Sequence, residues 1–402
     1  MSEIDNSAMR LPTCLSVMLM LLVGCSDQRP QTLSTLQFAR DYQGGVCFDT
    51  LRKIEMQIAQ NIDTSKFLAI SRVRKRKSGD FLVLCYPPSI FHVDTAGRVQ
   101  KRIASHGRGP GEFTRLADFA LDENDTLFAF GENPLRLTKF DPKGVLLNSR
   151  NLQYAHRNAE SIEYHNGAFI LGTFTNLRLG SDKDDYGFLP YEKRSYLALY
   201  DKQFILRGIF ANPSEVLGPT EGLFHRPYVK FAPFALRPNT GSLFVMLQEG
   251  FYVIQEYNIE GKMAKMYEVT SSQFTPLNMS HLSGLSFNNG RANFTEEKIG
   301  SVIASHSSPT AVMATNRWML VKLIRPYENY FPMYSKIPVP AYYYDLFRFH
   351  DGGLKAEITG IEMNLELVGS NFYEDEFYFT RWDYTSTHPT TPTILVLKVK
   401  EQ

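Results

Sequence analysis

A short turn opened by Asp or Asn recurs along this chain between strand-like runs: Asp94-Thr-Ala-Gly97, Asp141-Pro-Lys-Gly144, Asp201-Lys-Gln203 and Asn258-Ile-Glu-Gly261. The openings lie 47, 60 and 57 residues apart. In the first copy the turn follows apolar runs at Phe67–Ser71, Phe81–Cys85 and Ile90–Val93, and Val99–Ile103 comes after it. Leu116–Ala120, Leu127–Phe130, Leu135–Phe140 and Val145–Leu147 repeat that order, and later copies end in Leu197–Ile209 and Phe251–Val269. Four antiparallel strands cannot bury both faces of their sheet alone. They must stack on copies of themselves, and closing the stack into a ring removes the exposed edges. The expected fold class is therefore all-β, a six-bladed β-propeller, because residues 66–402 divide into six units of about 56 residues, within the observed spacing.

Composition agrees. Phe (29) and Tyr (21) far outnumber Trp (2), and aromatic and β-branched residues favour strands. A chain that is 43% hydrophobic is not disordered throughout, and a formal charge of +1 gives no field with which to gather nucleic acid.

The last two units are less regular. Ala311–Met313, Trp318–Ile324 and Ala341–Phe347, with a turn at Asp351-Gly-Gly-Leu354, are expected to form blade five. Ile361–Val368, Phe377–Thr380 and Ile394–Val399 are expected to form blade six, with Val46–Leu51 from the other end of the chain completing it. Between the units, Asn293-Phe-Thr-Glu296 followed by Ile299, Val302 and Ile303 has the form of a capped short helix.

The N-terminus reads as an address. Leu15–Val23 is apolar except for Ser16 and is too short to span a bilayer, as the core of an export signal should be. It ends in Leu22-Val23-Gly24-Cys25, which resembles the lipobox of bacterial lipoproteins and implies acylation of Cys25. Residues 1–8 carry Glu3 and Asp5 but no base, so translation is expected to start at Met9, just before Arg10. The expected organisation is a signal peptide over 1–24, a lipidated tether over 25–45 and a propeller over 46–402. The expected location is the periplasm or cell surface, anchored by lipid to what is most simply the outer membrane.

The most specific run is Gly107-Arg108-Gly109-Pro110-Gly111-Glu112-Phe113, placed between the fourth strand of one unit and the first of the next. Its glycines permit close backbone approach, Pro110 fixes a turn dihedral, and Glu112 is placed to accept bonds from freed turn amides. With the turn at Asp94–Gly97, it resembles the crossover of NHL-type six-bladed propellers found in lipoproteins of Gram-negative gut bacteria. The resemblance covers residues 65–150, and later crossovers lack the motif. It implies a lipid-anchored propeller and adds nothing about chemistry. The run is neither a P-loop nor a dinucleotide fingerprint.

Chemistry is harder to read. Cys47 and Cys85 remain for the folded part; they are a possible disulfide in an oxidising compartment, or two ordinary thiols, which is the simpler reading. Nine histidines are scattered without an H-E-x-x-H or a close pair, so no metal site and no cofactor is assigned. Asp182-Lys-Asp184-Asp185-Tyr-Gly187 begins like a calcium loop but has Tyr186 and Lys193 at ligand positions. The base run Arg72, Arg74, Lys75, Arg76, Lys77 reads as an exposed hairpin tip. Tyr327–Phe331 and Tyr342–Tyr344 are aromatic enough to stack on sugars, although packing is the simpler use. No G-x-S-x-G elbow and no catalytic residue is visible. The leading expectation is a noncatalytic, monomeric propeller that binds a protein, peptide or glycan at its channel mouth. The rivals are a propeller enzyme, such as a lyase or glycan hydrolase, and a structural subunit of an envelope complex.

Overall fold

The computed structural model describes residues 33–43, 47–57, 69–132, 135–152, 156–175, 195–212, 233–246, 252–276, 287–288, 291–292, 306–324, 342–351, 353–371, 373–381 and 391–401. Among these described residues the regular elements are all strands. Ahead of the blades come β1 (Leu33–Gln37), β2 (Arg40–Asp41) and β3 (Phe48–Glu55). Blade 1 holds β4 (Ala69–Lys75), β5 (Phe81–Tyr86), β6 (Ser89–Val93) and β7 (Val99–His106), with the short β8 (Glu112–Phe113) beside β7. Blade 2 is β9 (Arg115–Leu121), β10 (Leu127–Glu132), β11 (Arg136–Phe140) and β12 (Leu146–Asn151). Blade 3 is β13 (His156–His165), β14 (Ala168–Thr175), β15 (Leu197–Asp201) and β16 (Leu206–Phe210). Blade 4 is β17 (Phe234–Arg237), β18 (Ser242–Met246), β19 (Val253–Tyr257) and β20 (Met263–Thr270). The two-residue pair β21 (Phe287–Asn288) and β22 (Arg291–Ala292) stands apart. Blade 5 is β23 (Ser308–Ala314), β24 (Trp318–Ile324), β25 (Tyr342–His350) and β26 (Gly353–Met363). Blade 6 is β27 (Glu366–Asn371), β28 (Glu376–Thr380), β29 (Thr393–Val399) and, from the start of the chain, β3. The protein is thus a six-bladed propeller, and the strand near Val46–Leu51 does close the ring.

The recurrent turn has a local cause. Asp94 Oδ1 accepts the amides of Ala96 and Arg98, each at 2.9 Å, and Asp201 Oδ1 accepts those of Gln203 and Ile205 at 2.9 and 3.0 Å. Asp141 and Asn258 accept the amides of Val145 and Lys262 at 2.7 and 2.8 Å. The side chain closes the turn, and the fourth residue takes a left-handed conformation, with φ of 88°, 74° and 81° at Gly97, Gly144 and Gly261. In blade 3 that position is Phe204, at φ 61°, whose ring packs 5.5 Å from Phe169 and 6.3 Å from Phe128.

Strand period and blade stacking make the core. In β5, Leu82 and Leu84 pack towards blade 2, whereas Phe81, Val83 and Cys85 pack towards blade 6. A strand between two blades is buried on both faces, so it reads as a continuous apolar run. Each neighbouring blade pair encloses its own apolar cluster. At the closure, Ile54 and Met56 join Val396, Tyr378, Phe81 and Val73 in the seam between blades 6 and 1.

Several expectations need correction. The tether read over 25–45 contains two strands: β1 pairs parallel with β20, and β2 pairs parallel with β26, on the outer edges of blades 4 and 5. Backbone pairing needs no apolar side chain, so polarity did not reveal it. The described first strand of blade 1 is Ala69–Lys75, which runs on past Ser71 through the basic residues, and the run Ile361–Val368 is split between β26 and β27. Cys47 and Cys85 are separate free thiols, Cys85 in the seam between blades 6 and 1 and Cys47 against the cluster between blades 5 and 6, so the possible disulfide is absent. The helix expected at 293–303, the acidic loop at 182–187, Tyr327–Phe331 and Cys25 lie outside the described residues. Among the described residues no helix is long and apolar enough to cross a membrane.

Candidate functional site

The innermost strands β4, β9, β13, β17, β23 and β27 ring the axis. Pairing slips at Ser71 in β4, Ala117 in β9, Thr310 in β23 and Val368 in β27, and at two points in β13. Such bulges sharpen twist and re-aim side chains, which strands crowded at an axis require. Space there is tight: a Cβ on Gly369 would lie 2.1 Å from the carbonyl oxygen of Val73 on the neighbouring blade.

The base run Arg72–Lys77 is the main surprise. It is not an exposed tip. Its residues lie along β4, the innermost strand of blade 1, and continue into the turn, with the Arg72, Arg74, Lys75 and Arg76 side chains only 11–14% exposed. Arg72 binds Asp118 of β9 in a two-pronged contact, Nε to Oδ1 at 2.9 Å and Nη2 to Oδ2 at 2.7 Å. Its Nη1 reaches Met313 Sδ of blade 5 at 3.1 Å. Asp118 also accepts the amides of Phe119 and Ile162 at 2.7 and 3.1 Å. Arg74 repeats the fork towards blade 3, donating to Glu163 Oε2 and Oε1 at 2.9 and 3.0 Å and to the Ile162 carbonyl at 2.8 Å. Lys75 turns the other way, to Glu374 and, at 3.4 Å, Glu376 of blade 6. One strand therefore distributes cations to both flanking sides of the ring and across the axis.

Above this layer the turns between the first and second strands of all six blades meet. They enclose a cleft of about 580 Å³, with Gly79, Asp125, Asn166, Asn239, Asn316 and Tyr373 representing blades 1 to 6 in turn. That size falls within the roughly 300–1,000 Å³ of small-ligand pockets. Its ionic groups balance, five Lys or Arg against five Asp or Glu. The Tyr164 phenol is pushed up to about 12 by burial and by its hydrogen bond to Glu123, so it is a neutral hydroxyl across the physiological range. Burial lowers the His165 imidazole, which favours its neutral form. Among the described residues no group of three His, Cys, Asp or Glu is placed to hold a metal ion.

The crossover residues picked out in the sequence lie at the other end of the ring, because β9 begins at the crossover and ends at the cleft. Glu112 Oε2 accepts the Gly109 amide at 2.8 Å, and the Gly107 amide donates to the Phe113 carbonyl at 3.1 Å. A Cβ on Gly107 would lie 2.0 Å from Glu112 Oε2. Phe113 is buried beneath Arg136, 4.7 Å from its ring, and over Gly131, where a Cβ would meet the ring at 2.3 Å. Gly111 sits against Phe140, and Pro110 is exposed. The motif fastens blade 1 to blade 2. The buried Tyr342 and Tyr344 also serve packing, between blades 5 and 6.

Sequence reasoning missed Glu163, Asp118 and Tyr373, and placed Arg74 on an exposed hairpin tip. The alternation of Arg72, Arg74 and Arg76 was the available clue, since a period of two marks one face of a strand.

Residues 63–178 match a family model, DUF5128, described as a 6-bladed beta-propeller. No curated protein matches the chain. Among solved structures, a protein of Bacteroides fragilis NCTC 9343 described as exported is 14% identical, with a TM-score of 0.58 over 92% of this chain and 100% of that one. A member of the DUF4221 family from Bacteroides vulgatus ATCC 8482 is 9% identical, with a TM-score of 0.58 over 88% of this chain and 98% of that one. At these identities the similarity is one of fold.

Proposed function

We propose that this propeller is a noncatalytic binding module of the cell envelope, of NHL-like type, anchored through lipid on Cys25. It takes a segment of protein, peptide or glycan at the cleft formed by its first-to-second-strand turns. The observation that carries the reading is the convergence of turns from all six blades on one cleft in which Arg74 and Glu163, Lys75 and Glu374, and Arg76 and Asp125 are already paired. Such groups hold a shape. A general acid or base needs a carboxyl or imidazole poised to exchange a proton, and Glu163 and Glu374 are held by Arg74 and Lys75 instead. The solved neighbour described as exported is consistent with the location.

The test is hydrogen–deuterium exchange of the purified protein with fractionated envelope glycans and peptides. Protection confined to residues 76–80, 121–125, 164–167 and 371–375, with the added material recovered unchanged, is the expected result. Chemical turnover of the added material would overturn the noncatalytic reading. Labelling with a radioactive fatty acid that persists in Cys25→Ser would overturn the anchor.

A further inference from the structure

Resting on the reading of the cleft as a binding site, we propose that its ligand is a neutral oligosaccharide. All five acids of the cleft have protein partners. Glu163 is held by Arg74, Glu374 by Lys75 and Glu123 by the Tyr164 hydroxyl. Asp125 accepts the Lys77 amide at 3.1 Å and lies 3.8 Å from the Arg76 guanidinium, while Asp122 accepts the amides of Asn124 and Thr126, each at 2.8 Å. With five cations against five anions, the cleft has no net field to concentrate a phosphate, a polyacid or a polycation.

What the cleft offers instead is groups that both donate and accept. Asn239 and Asn316 supply amides and Ser78 a hydroxyl, while Asn166 keeps its carbonyl oxygen with its Nδ2 3.0 Å from His165 Nε2; Asn371 and Ser370 brace the wall instead, Ser370 Oγ donating to Ala314 O at 2.9 Å. Asn316 Oδ1 has no hydrogen-bond partner among the described residues. A sugar hydroxyl is the matching ligand group, since it also donates and accepts and carries no charge. An extended peptide would instead seek a free strand edge. The backbone here is closed within its own turns: Gly79 N donates to Arg76 O, Asp125 N to Asp122 O and Gly241 N to Arg237 O.

A stacking surface completes the match. Tyr373 is 76% exposed on the lip of this cleft. Its amide donates to Asn371 Oδ1 at 3.1 Å, and the next residue, Glu374, is tied to Lys75 and, at 3.1 Å, to Asn371 Nδ2. The backbone beneath the ring is therefore fixed while the ring itself faces solvent, as a platform for the apolar face of a pyranose must be.

The experiment is calorimetric titration of the protein and of its Tyr373→Ala and Asn239→Ala variants. The probes are short neutral gluco-, xylo-, manno- and galacto-oligosaccharides in α and β linkage, oligogalacturonate, and a tryptic peptide pool. Both substitutions are on exposed turn positions, and unchanged thermal unfolding verifies the fold. A neutral oligosaccharide is expected to bind, and Tyr373→Ala to weaken it by roughly fivefold or more. Tyr373-dependent binding of oligogalacturonate or peptide, with the neutral series silent, would overturn the sugar chemistry and leave the binding role intact. Neutral-sugar binding unaffected by both substitutions would overturn the placement. Silence of all three classes would overturn the proposal and the binding reading together.

Discussion

Arg72 and Asp118 face each other across the innermost strands of blades 1 and 2 in two parallel hydrogen bonds of 2.9 and 2.7 Å, with the carboxylate 1% exposed. Two backbone amides complete the carboxylate's shell, and the guanidinium continues to Met313 of blade 5. The pair is a joint between blades placed directly below the cleft.

Removing one partner leaves the other charge buried and uncompensated, which typically costs about 3–5 kcal/mol. Asp118→Ala and Arg72→Ala should each lower stability on that scale, as read from urea unfolding. The pair Arg72→Met with Asp118→Leu should recover much of the loss, because neither side chain then carries a charge. A double variant as weak as the sum of its singles would contradict the joint.

Asp345 is fully buried, and its pKa is pushed from 3.8 up to about 6 by burial, against the hydrogen bonds from Thr359 and Gly360 that favour the carboxylate. The folded state therefore binds this proton more tightly than the unfolded state does. Its contribution is fully present below about pH 4, is lost as pH rises through about 6, and amounts to about 3 kcal/mol. Asp345→Asn should remove that slope. Urea midpoints of the two proteins between these pH values should diverge; parallel curves would refute the assignment.

Gly107 and Glu112 should be coupled. A methyl on Gly107 collides with the Glu112 carboxylate that holds the Gly109 amide. Gly107→Ala should cost about 2 kcal/mol and Glu112→Ala about 1 kcal/mol. The double variant should fall short of their sum by about 1 kcal/mol, since the clash disappears with the carboxylate. Strict additivity in a double-mutant cycle would be evidence against the contact.

Alkylation should separate the two thiols. Cys85 is buried, and desolvation raises its pKa well above the ordinary value, whereas Cys47 is partly exposed and raised less. Iodoacetamide followed by peptide mapping should label Cys47 in the native protein and Cys85 only in denaturant. A linked Cys47–Cys85 peptide in the non-reduced digest would contradict two separate thiols.

The strands and turns were legible wherever a local pattern carried them. Asp94, Asp141, Asp201 and Asn258 act on amides two to four residues away, so their spacing counted the blades and located the hairpins. Tyr342 and Tyr344 likewise behaved as packing residues. Leu33–Asp41 was not legible, because backbone pairing to the outer edges of blades 4 and 5 leaves no side-chain period. The basic run failed for a different reason: Arg72 and Arg74 look solvated unless Asp118 and Glu163, 46 and 89 residues away, are known to lie opposite.

The amino-acid order by itself determined a ring of four-stranded blades, the strand that closes it and the glycine-rich crossover, since these follow from contacts within one hairpin or between successive units. The three-dimensional arrangement alone decided the ion-paired axis, the fate of the two thiols and the six-sided cleft. Those depend on which blades become neighbours across the axis, and the partners are separated by up to 301 residues, as Lys75 and Glu376 are.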